Sequence, residues 1–116
     1  MTDPMILDLE RLREIYEDDR EVIRDLLDLA IQTTQTHLDA VSAAIESHDA
    51  PGIRYAAHAI KGAAFNVGAD ETARLAAALE AAASASRWEA IPAALAALRE
   101  GFARLEASIA GFNREG

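Results

Sequence analysis

Apolar residues recur every three or four positions along most of the chain, which is the spacing of amphipathic helices. No stretch alternates apolar and polar residues with the two-residue period of a strand. The pattern predicts a short first helix from Ile6 to Tyr16 and a long second helix from about Asp19 to Ser47. The predicted core positions of the long helix are Val22, Leu26, Ala30, Thr33, His37, Val41, Ala44 and Ile45, flanked by Leu27 and Leu38.

A third helix is predicted between two turn signals. Asp49 and Pro51 suit its start, because aspartate accepts hydrogen bonds from free amides and proline fits a first helical turn. The helix should run to about Asn66 and stop before Gly68, since glycine readily adopts the left-handed conformation that ends many helices.

Two more helices follow in the prediction. The acidic pair Asp70–Glu71 favours the positive end of a fourth helix. Ser86 and Glu89 have the spacing of a capping box and predict the start of the last helix. Pro92 conflicts with an unbroken helix from Ser86, so we expect a bent or irregular first turn. The apolar seam of the last helix is Ile91, Leu95, Leu98, Phe102, Leu105, Ile109 and Phe112.

These elements predict an all-α fold, an up-down four-helix bundle preceded by a short N-terminal helix. A chain of 116 residues has the length of one domain, here 1–116, with the bundle core at about 19–112. Apolar residues make up 51% of the chain, and the many alanines among them favour helix.

Charge and composition exclude several classes of function. The formal net charge of −9 argues against nucleic-acid binding, which requires clustered positive charge. No window approaches the roughly 20 apolar residues of a membrane span, so we expect no membrane association. The chain has no cysteine, which excludes disulfides and cysteine-ligated zinc and fits the reducing cytoplasm.

The helical wheel of the third helix predicts the direction of His58. At about 100° per residue, His58 lies about 160° from Ile60 and therefore faces outward. The predicted core face of this helix is Ile53, Ala57, Ile60, Ala64 and Val67, and the residues that share the outward sector of His58 are Arg54, Lys61, Gly62 and Phe65.

The other two histidines favour a structural interpretation. His37 and His48 fall on or beside the predicted apolar stripe of the long helix, where a histidine usually packs. They are too far apart on one helix to ligate the same metal, which requires a spacing of three or four residues. We therefore expect no metal site and no cofactor in this chain.

The run from His58 to Ala69 resembles the signature of histidine-containing phosphotransfer (Hpt) domains. That signature reads His-x-Leu-Lys-Gly-(Ser/Ala)-(Ser/Ala)-x-Asn-(Leu/Ile/Val)-Gly-Ala, and this chain reads His-Ala-Ile-Lys-Gly-Ala-Ala-Phe-Asn-Val-Gly-Ala. The likeness continues through the pair Leu79–Glu80 and the apolar seam after Trp88. Ile60 replaces the usual leucine, and Phe65 occupies an outward position that is usually small.

The resemblance implies a five-helix domain that carries phosphoryl groups. It implies that His58 accepts a phosphoryl group from the aspartyl phosphate of a receiver domain and passes it to another receiver. Lys61 would neutralise charge on the transferring group, and Gly62 would leave space for the partner. The receiver would supply the acidic pocket and the magnesium ion. We expect a monomeric, cytoplasmic phosphocarrier without kinase activity.

Docking residues are less sharply predicted. Phe65 is either exposed beside His58 as part of a docking patch or folded against the first helix. In the family, the outer faces of the first helices and of the histidine helix bind the receiver. This adds Leu12, Ile15 and Tyr16 to the candidates, together with Arg54, while the orientation of Glu80 stays open.

Two other functions are compatible with a helical bundle. The chain could be a non-catalytic module that docks a receiver or another signalling partner without phosphotransfer. It could also be the dimerisation bundle of a sensor kinase, but there the phosphorylated histidine is usually followed by an acidic residue, whereas this chain has Ala59.

Overall fold

The computed structural model describes residues 5–115 and contains five helices in that range, with no strand. The predicted all-α fold, a short N-terminal helix and a four-helix bundle, is confirmed. The two ends of the predicted domain, residues 1–4 and 116, lie outside the described residues. The helices are α1 (Leu9–Ile15), α2 (Arg20–Glu46), α3 (Ala50–Asn66), α4 (Asp70–Ser84) and α5 (Ile91–Arg114).

The bundle is formed by α2 to α5, and short turns connect them. Helix α3 packs against both α2 and α4, and α5 packs against α4 and more sparingly against α2. Helix α1 packs on α2. Within residues 5–115, no helix combines the length and the apolar character needed to cross a membrane.

Aspartate caps start the first three helices. The side chains of Asp8, Asp19 and Asp49 each accept a hydrogen bond from a backbone amide in the first turn that follows. Pro51 lies in the first turn of α3, as predicted, where its missing N–H breaks no helical hydrogen bond. Local chemistry therefore fixes where these helices begin.

Residues with a left-handed backbone conformation follow the ends of α2, α3 and α4. Gly68 has a φ of +71°, and the amide of Ala69 then bonds the carbonyl of Ala64 at 2.9 Å. This geometry confirms Gly68 as the terminator of α3. His48 and Ser86 adopt positive φ values after α2 and α4 and support the same pattern of bonds.

The predicted capping box at Ser86 and Glu89 is wrong. Ser86 terminates α4, and helix α5 begins only at Ile91, after Ala90, which has no side chain that could cap it. Pro92 explains the later start, because proline fits the first turn of a helix but breaks hydrogen bonds further in.

The predicted core face of α3 is confirmed, since all five of its residues are buried. The prediction for α2 is shifted by about one position. Val22 is exposed, whereas Leu26, Thr33, His37 and Ile45 are only partly buried. The buried residues of α2 are Ile23, Leu27, Ala30, Thr34, Leu38, Val41 and Ala44.

The segment before α1 attaches to the turn between α3 and α4. The amide of Asp8 bonds the carbonyl of Gly68 at 3.0 Å, and the amide of Glu71 bonds the carbonyl of Met5 at 2.9 Å. Helix α1 therefore begins at Leu9 rather than at the predicted Ile6. These bonds place α1 beside the C-terminal end of α3.

The two remaining histidines occupy different surroundings. His37 is partly buried, and its ring meets Tyr55 edge-on with 6.4 Å between ring centroids. His48 lies exposed in the turn after α2, whereas the prediction placed it on or beside the apolar stripe of the helix. Its ring stacks on Trp88 with centroids 3.7 Å apart, which joins the α2–α3 turn to the α4–α5 connection.

Candidate functional site

His58 lies near the middle of α3 with its side chain in solvent. The residue before it, Ala57, is fully buried, and so is Ile60, whereas 67% of the His58 side chain is exposed. The outward orientation predicted from helical periodicity is therefore confirmed. An imidazole in this position is accessible to a macromolecular partner.

One carboxylate from α4 binds both His58 and Lys61. Oε2 of Glu80 lies 2.8 Å from Nδ1 of His58, and Oε1 accepts a hydrogen bond from Nζ of Lys61 at 2.7 Å. The neighbouring residue Leu79 is fully buried between the helices, which directs Glu80 toward the rim of the α3–α4 interface. The orientation of Glu80, left open by the sequence, is thereby settled.

The electrostatics of this arrangement determine which ring nitrogen is free. The hydrogen bond from Lys61 lowers the pKa of Glu80, the bond to His58 lowers it further, and partial burial opposes both. Glu80 is thus an ionised carboxylate at neutral pH and can only accept hydrogen bonds. Nδ1 of His58 must therefore carry the proton, so the lone pair of the neutral ring lies on Nε2.

Lys61 lies beside the histidine, as predicted, but its ammonium is engaged. About a third of its side chain is exposed, at 32%, and Nζ forms an ion pair with Glu80. The lysine and the histidine are three residues apart on one helix, so they face the same region of space. The cation is available to an incoming anion only in competition with Glu80.

Gly62 leaves the surface beside His58 open. A methyl group added there would meet no atom within 4 Å beyond the local helix. Packing inside this chain therefore does not require glycine at this position. The surface next to the ring is therefore unobstructed at Gly62.

The two sides of His58 differ in character. At about 100° per residue, Lys61 and Arg54 project to the α4 side of the histidine, and Gly62 and Ala59 project to the α2 side. Charged groups thus flank the ring toward α4. Toward α2, a groove of about 300 Å³, here called the α2–α3 groove, is lined by Leu26, Leu29, Ala30, Thr33, Ala59, Ala63, Asn66 and Val67.

Exposed aromatic residues lie before and after His58 on α3. The Phe65 side chain is exposed, with 61% of the residue accessible, so it does not fold against α1. The backbone of Phe65 contacts α1, where its carbonyl accepts a hydrogen bond from the Arg11 side chain at 3.2 Å. Tyr55 is 74% accessible and was not predicted as a site residue. Its position three residues before His58 is the signal that could have identified it.

The candidate docking residues on α1 divide into buried and exposed. Leu12 is fully buried, so its selection as a docking residue is wrong, because it packs into the core beneath α1. Ile15 is exposed and Tyr16 is partly buried. Arg54 is exposed one turn before His58. Among residues 5–115, no group of three or more histidine or acidic side chains is placed to hold a metal ion.

A family comparison decides how this geometry is interpreted. The family model described as Hpt domain matches residues 25–108, which include His58, Lys61 and Glu80. The chain belongs to the Hpt domain family. The matched range spans most of α2 and all of α3 and α4, the helices that form the site.

A solved structure supports the same assignment. The crystal structure of histidine-containing phosphotransfer protein B (HptB) from Pseudomonas aeruginosa PAO1 matches this Hpt domain with a TM-score of 0.86 and 26% sequence identity. The match covers 98% of this chain and 99% of that chain. No curated protein matches the chain significantly. The family and the structural likeness together support a histidine phosphotransfer role in a phosphorelay.

Proposed function

We propose that His58 is the phosphorylated residue of this Hpt domain. It takes a phosphoryl group from the aspartyl phosphate of one receiver domain and passes it to the aspartate of another. The observation that carries the proposal is the exposed imidazole whose Nδ1 is bound by Glu80, which leaves Nε2 free in solvent.

The transfer step follows from that geometry. The Nε2 lone pair attacks phosphorus, the P–O bond of the aspartyl phosphate breaks, and the receiver's carboxylate leaves with the electron pair. The ring gains positive charge as the N–P bond forms. The ionised Glu80 stabilises this charge through the Nδ1 proton. In the onward step the N–P bond breaks, its electron pair returns to Nε2, and the second receiver's aspartate gains the phosphoryl group.

Lys61 and Gly62 assist this reaction in different ways. Lys61, three residues from His58, supplies positive charge for the oxygens of the transferring group. Gly62 lets the wall of the receiver's active site approach the ring, which is supported by the open space around it. The receiver brings the magnesium ion, and this chain contributes no cofactor of its own.

The receiver docks over the α2–α3 groove and the exposed residues of α3. Leu29 and Phe65 are large apolar residues in solvent on this surface. Apolar patches of this kind mark protein interfaces, because their exposure is otherwise unfavourable. Arg54 and Tyr55 extend the surface toward the start of α3, and Ile15 and Tyr16 are peripheral candidates on α1.

The protein acts as a monomer in the cytoplasm, where receiver domains work. Support for the monomer comes from a core that α2 to α5 close among themselves. Sedimentation velocity should give a single species of the mass of one chain, 12.4 kDa. A stable dimer would favour the sensor-kinase type of bundle instead.

Transfer of labelled phosphate from a receiver tests the proposal directly. The wild-type protein should acquire an acid-labile, base-stable label when mixed with a phosphorylated receiver, and His58→Gln should acquire none. The chain has three histidines, so His37→Gln and His48→Asn are matched controls that should be labelled normally. Uptake by His58→Gln at the wild-type rate would refute the assignment. Receiver binding without any label in the wild type would instead identify a docking module.

A further inference from the structure

Glu80 and Lys61 form an ion pair that phosphorylation of His58 must disturb. In the structure, Nζ of Lys61 is 2.7 Å from Oε1 of Glu80, and the other oxygen of the same carboxylate binds the His58 ring. A phosphoryl group on Nε2 would be strongly anionic. A phosphate ester carries about 1.5 to 2 negative charges at neutral pH. Two anionic groups would then share one ammonium.

We propose that the phosphoryl group draws Lys61 away from Glu80, and that Glu80 thereby sets how readily His58 gives up the phosphoryl group. This inference rests on the phosphorylation of His58 proposed above. Glu80 is a positioning residue in this account: it holds the ring and competes for the lysine, and it makes no bond to phosphorus.

The geometry permits the exchange without movement of either helix. Lys61 has a flexible four-carbon side chain, and 32% of that side chain is already in solvent. His58 and Lys61 contact the same carboxylate, so both lie within a few ångströms of each other. In this account, rotation of the lysine side chain moves Nζ from Glu80 toward an oxygen of the phosphoryl group on Nε2.

The competition has a defined energetic sign. In the unphosphorylated protein the Lys61–Glu80 ion pair is formed. Breaking this pair reduces the favourable free energy that is gained when Lys61 binds the phosphoryl group. Glu80 attracts the positive charge that the ring gains and repels the larger but more distant negative charge of the phosphoryl group, so these two effects oppose each other. The competition for Lys61 remains, and it promotes onward transfer. The bond from Nδ1–H to the Glu80 side chain persists in either state.

Glu80→Gln separates the charge of Glu80 from its hydrogen bond. Glutamine keeps a carbonyl oxygen that can accept the Nδ1 proton, but it carries no charge. Against a phosphorylated receiver, the equilibrium should move about two- to fivefold toward phosphohistidine, the range of a partly exposed ion pair. The shift should shrink as salt is raised.

Glu71→Gln is the matched control on the same helix. Glu71 forms an ion pair with Arg104 at 2.8 Å and lies nine residues before Glu80, about 13 Å along α4. It should leave the equilibrium unchanged. Equal shifts in both variants, or a shift toward the phosphorylated receiver in Glu80→Gln, would overturn the inference.

The single lysine allows the exchange to be observed directly. Protein labelled with ¹⁵N-lysine gives one side-chain ammonium signal, that of Lys61. Phosphoramidate can phosphorylate the ring without a receiver, since Nε2 attacks its phosphorus and ammonia leaves. His37 and His48 are replaced in this sample so that only His58 reacts.

Phosphorylation should move the Lys61 signal and raise the pKa of Glu80, which loses the lysine that lowers it. In Glu80→Gln the unphosphorylated protein should already show a shifted lysine signal. A ³¹P phosphohistidine signal with unmoved Lys61 and Glu80 would refute the exchange alone. Absence of that ³¹P signal, or its persistence in His58→Gln, would refute the proposed function and the exchange with it.

Discussion

A neutral imidazole exists as two tautomers, and each leaves a different ring nitrogen as the nucleophile. In this Hpt domain, Glu80 selects the tautomer with the proton on Nδ1, because an ionised carboxylate can only accept. The free nitrogen, Nε2, is the ring atom farther from the backbone and so the easier one for a partner to approach. A residue on α4 thus determines which ring nitrogen of a residue on α3 is free.

Removal of the Lys61 ammonium should slow phosphotransfer without unfolding the protein. Lys61→Ala deletes the cation next to the transferring group, and we expect about a tenfold lower rate, less than for a buried electrostatic contact. The ion pair with Glu80 is partly exposed, so the free energy of unfolding should change by about 1 kcal/mol or less. Rapid-quench kinetics at low and physiological salt measure the effect, and equal rates for variant and wild type at both would exclude Lys61 from the reaction.

Gly62 should show opposite effects on stability and on function. Gly62→Ala fills open space on an exposed helix, so the free energy of unfolding should rise by about 1 kcal/mol. Gly62→Leu should slow transfer about tenfold by blocking the approach of the receiver, at little cost in stability. Thermal melts and transfer assays give the two readouts.

Gly101 is the matched control for Gly62. A side chain there would meet Leu75 between α4 and α5, and Gly101 is buried, so the bulky Gly101→Leu should destabilise the fold by about 1 kcal/mol or more. Its transfer rate should stay normal. If Gly62→Leu lowered the melting temperature as strongly as Gly101→Leu, Gly62 would have a packing role and not an access role.

The sequence predicts the residues of α3 better than it predicts Glu80. The outward direction of His58 and Lys61 follows from the periodicity of a single helix, so no tertiary information is needed. The contact with Glu80 depends on how α4 is rotated and packed against α3, which one helix's pattern does not determine. Leu12 was misassigned for a similar reason, because α1 is too short for its pattern to show which side faces α2.

At the scale of elements, α2 is apolar on more of its circumference than the core can cover. Its buried stripe runs through Leu27 and Leu38, yet Val22 and Leu29 are exposed and Leu26 is partly buried. This breadth is why periodicity placed the core stripe about one position away. The surplus apolar surface of α2 adjoins the α3 residues around His58, where a partner can cover it.

Leu29 should matter for receiver binding and little for folding. Leu29→Gln removes one apolar contact from the α2–α3 groove, and we expect about tenfold weaker binding, or about 1.4 kcal/mol. Stability should change by about 0.5 kcal/mol or less, because 59% of the residue is exposed. Calorimetric titration with a receiver measures the affinity.

Ala103→Gln is the matched control for Leu29→Gln, because it introduces the same amide side chain on a different helix. Ala103 is exposed on α5, which packs against α4 and α2 and lies away from the histidine helix. This variant should bind the receiver normally. Equal affinities for Leu29→Gln and the wild type would remove the α2–α3 groove from the docking surface.

At the scale of the whole molecule, contacts between connecting segments link the helices at both ends of the bundle. The segment before α1 bonds to the α3–α4 turn through Asp8 and Gly68. At the opposite turns, His48 stacks on Trp88 and connects the α2–α3 turn with the approach to α5. The Asp49 cap and the helix terminator Gly68 are predicted from the sequence, but the stack joins residues 40 positions apart and has no local signal.

The His48–Trp88 stack should contribute to stability but not to phosphotransfer. His48→Asn keeps a residue that tolerates positive φ and removes the ring, so the free energy of unfolding should fall by about 1 kcal/mol. Trp88 is the only tryptophan, and its fluorescence should shift as its face opens to water. His37→Gln, which leaves the stack intact, should not alter that fluorescence. An unchanged spectrum in His48→Asn would contradict the stack.

The opposite sides of His58 can diverge independently during evolution. Glu80 and Lys61 stand toward α4, while the α2–α3 groove lies on the other flank of the ring. Duplicated genes could therefore acquire specificity for different receivers through substitutions on α2 and keep the residues around His58 unaltered. Signalling networks with many parallel routes could be insulated from one another in this way, with one conserved chemistry serving all of them.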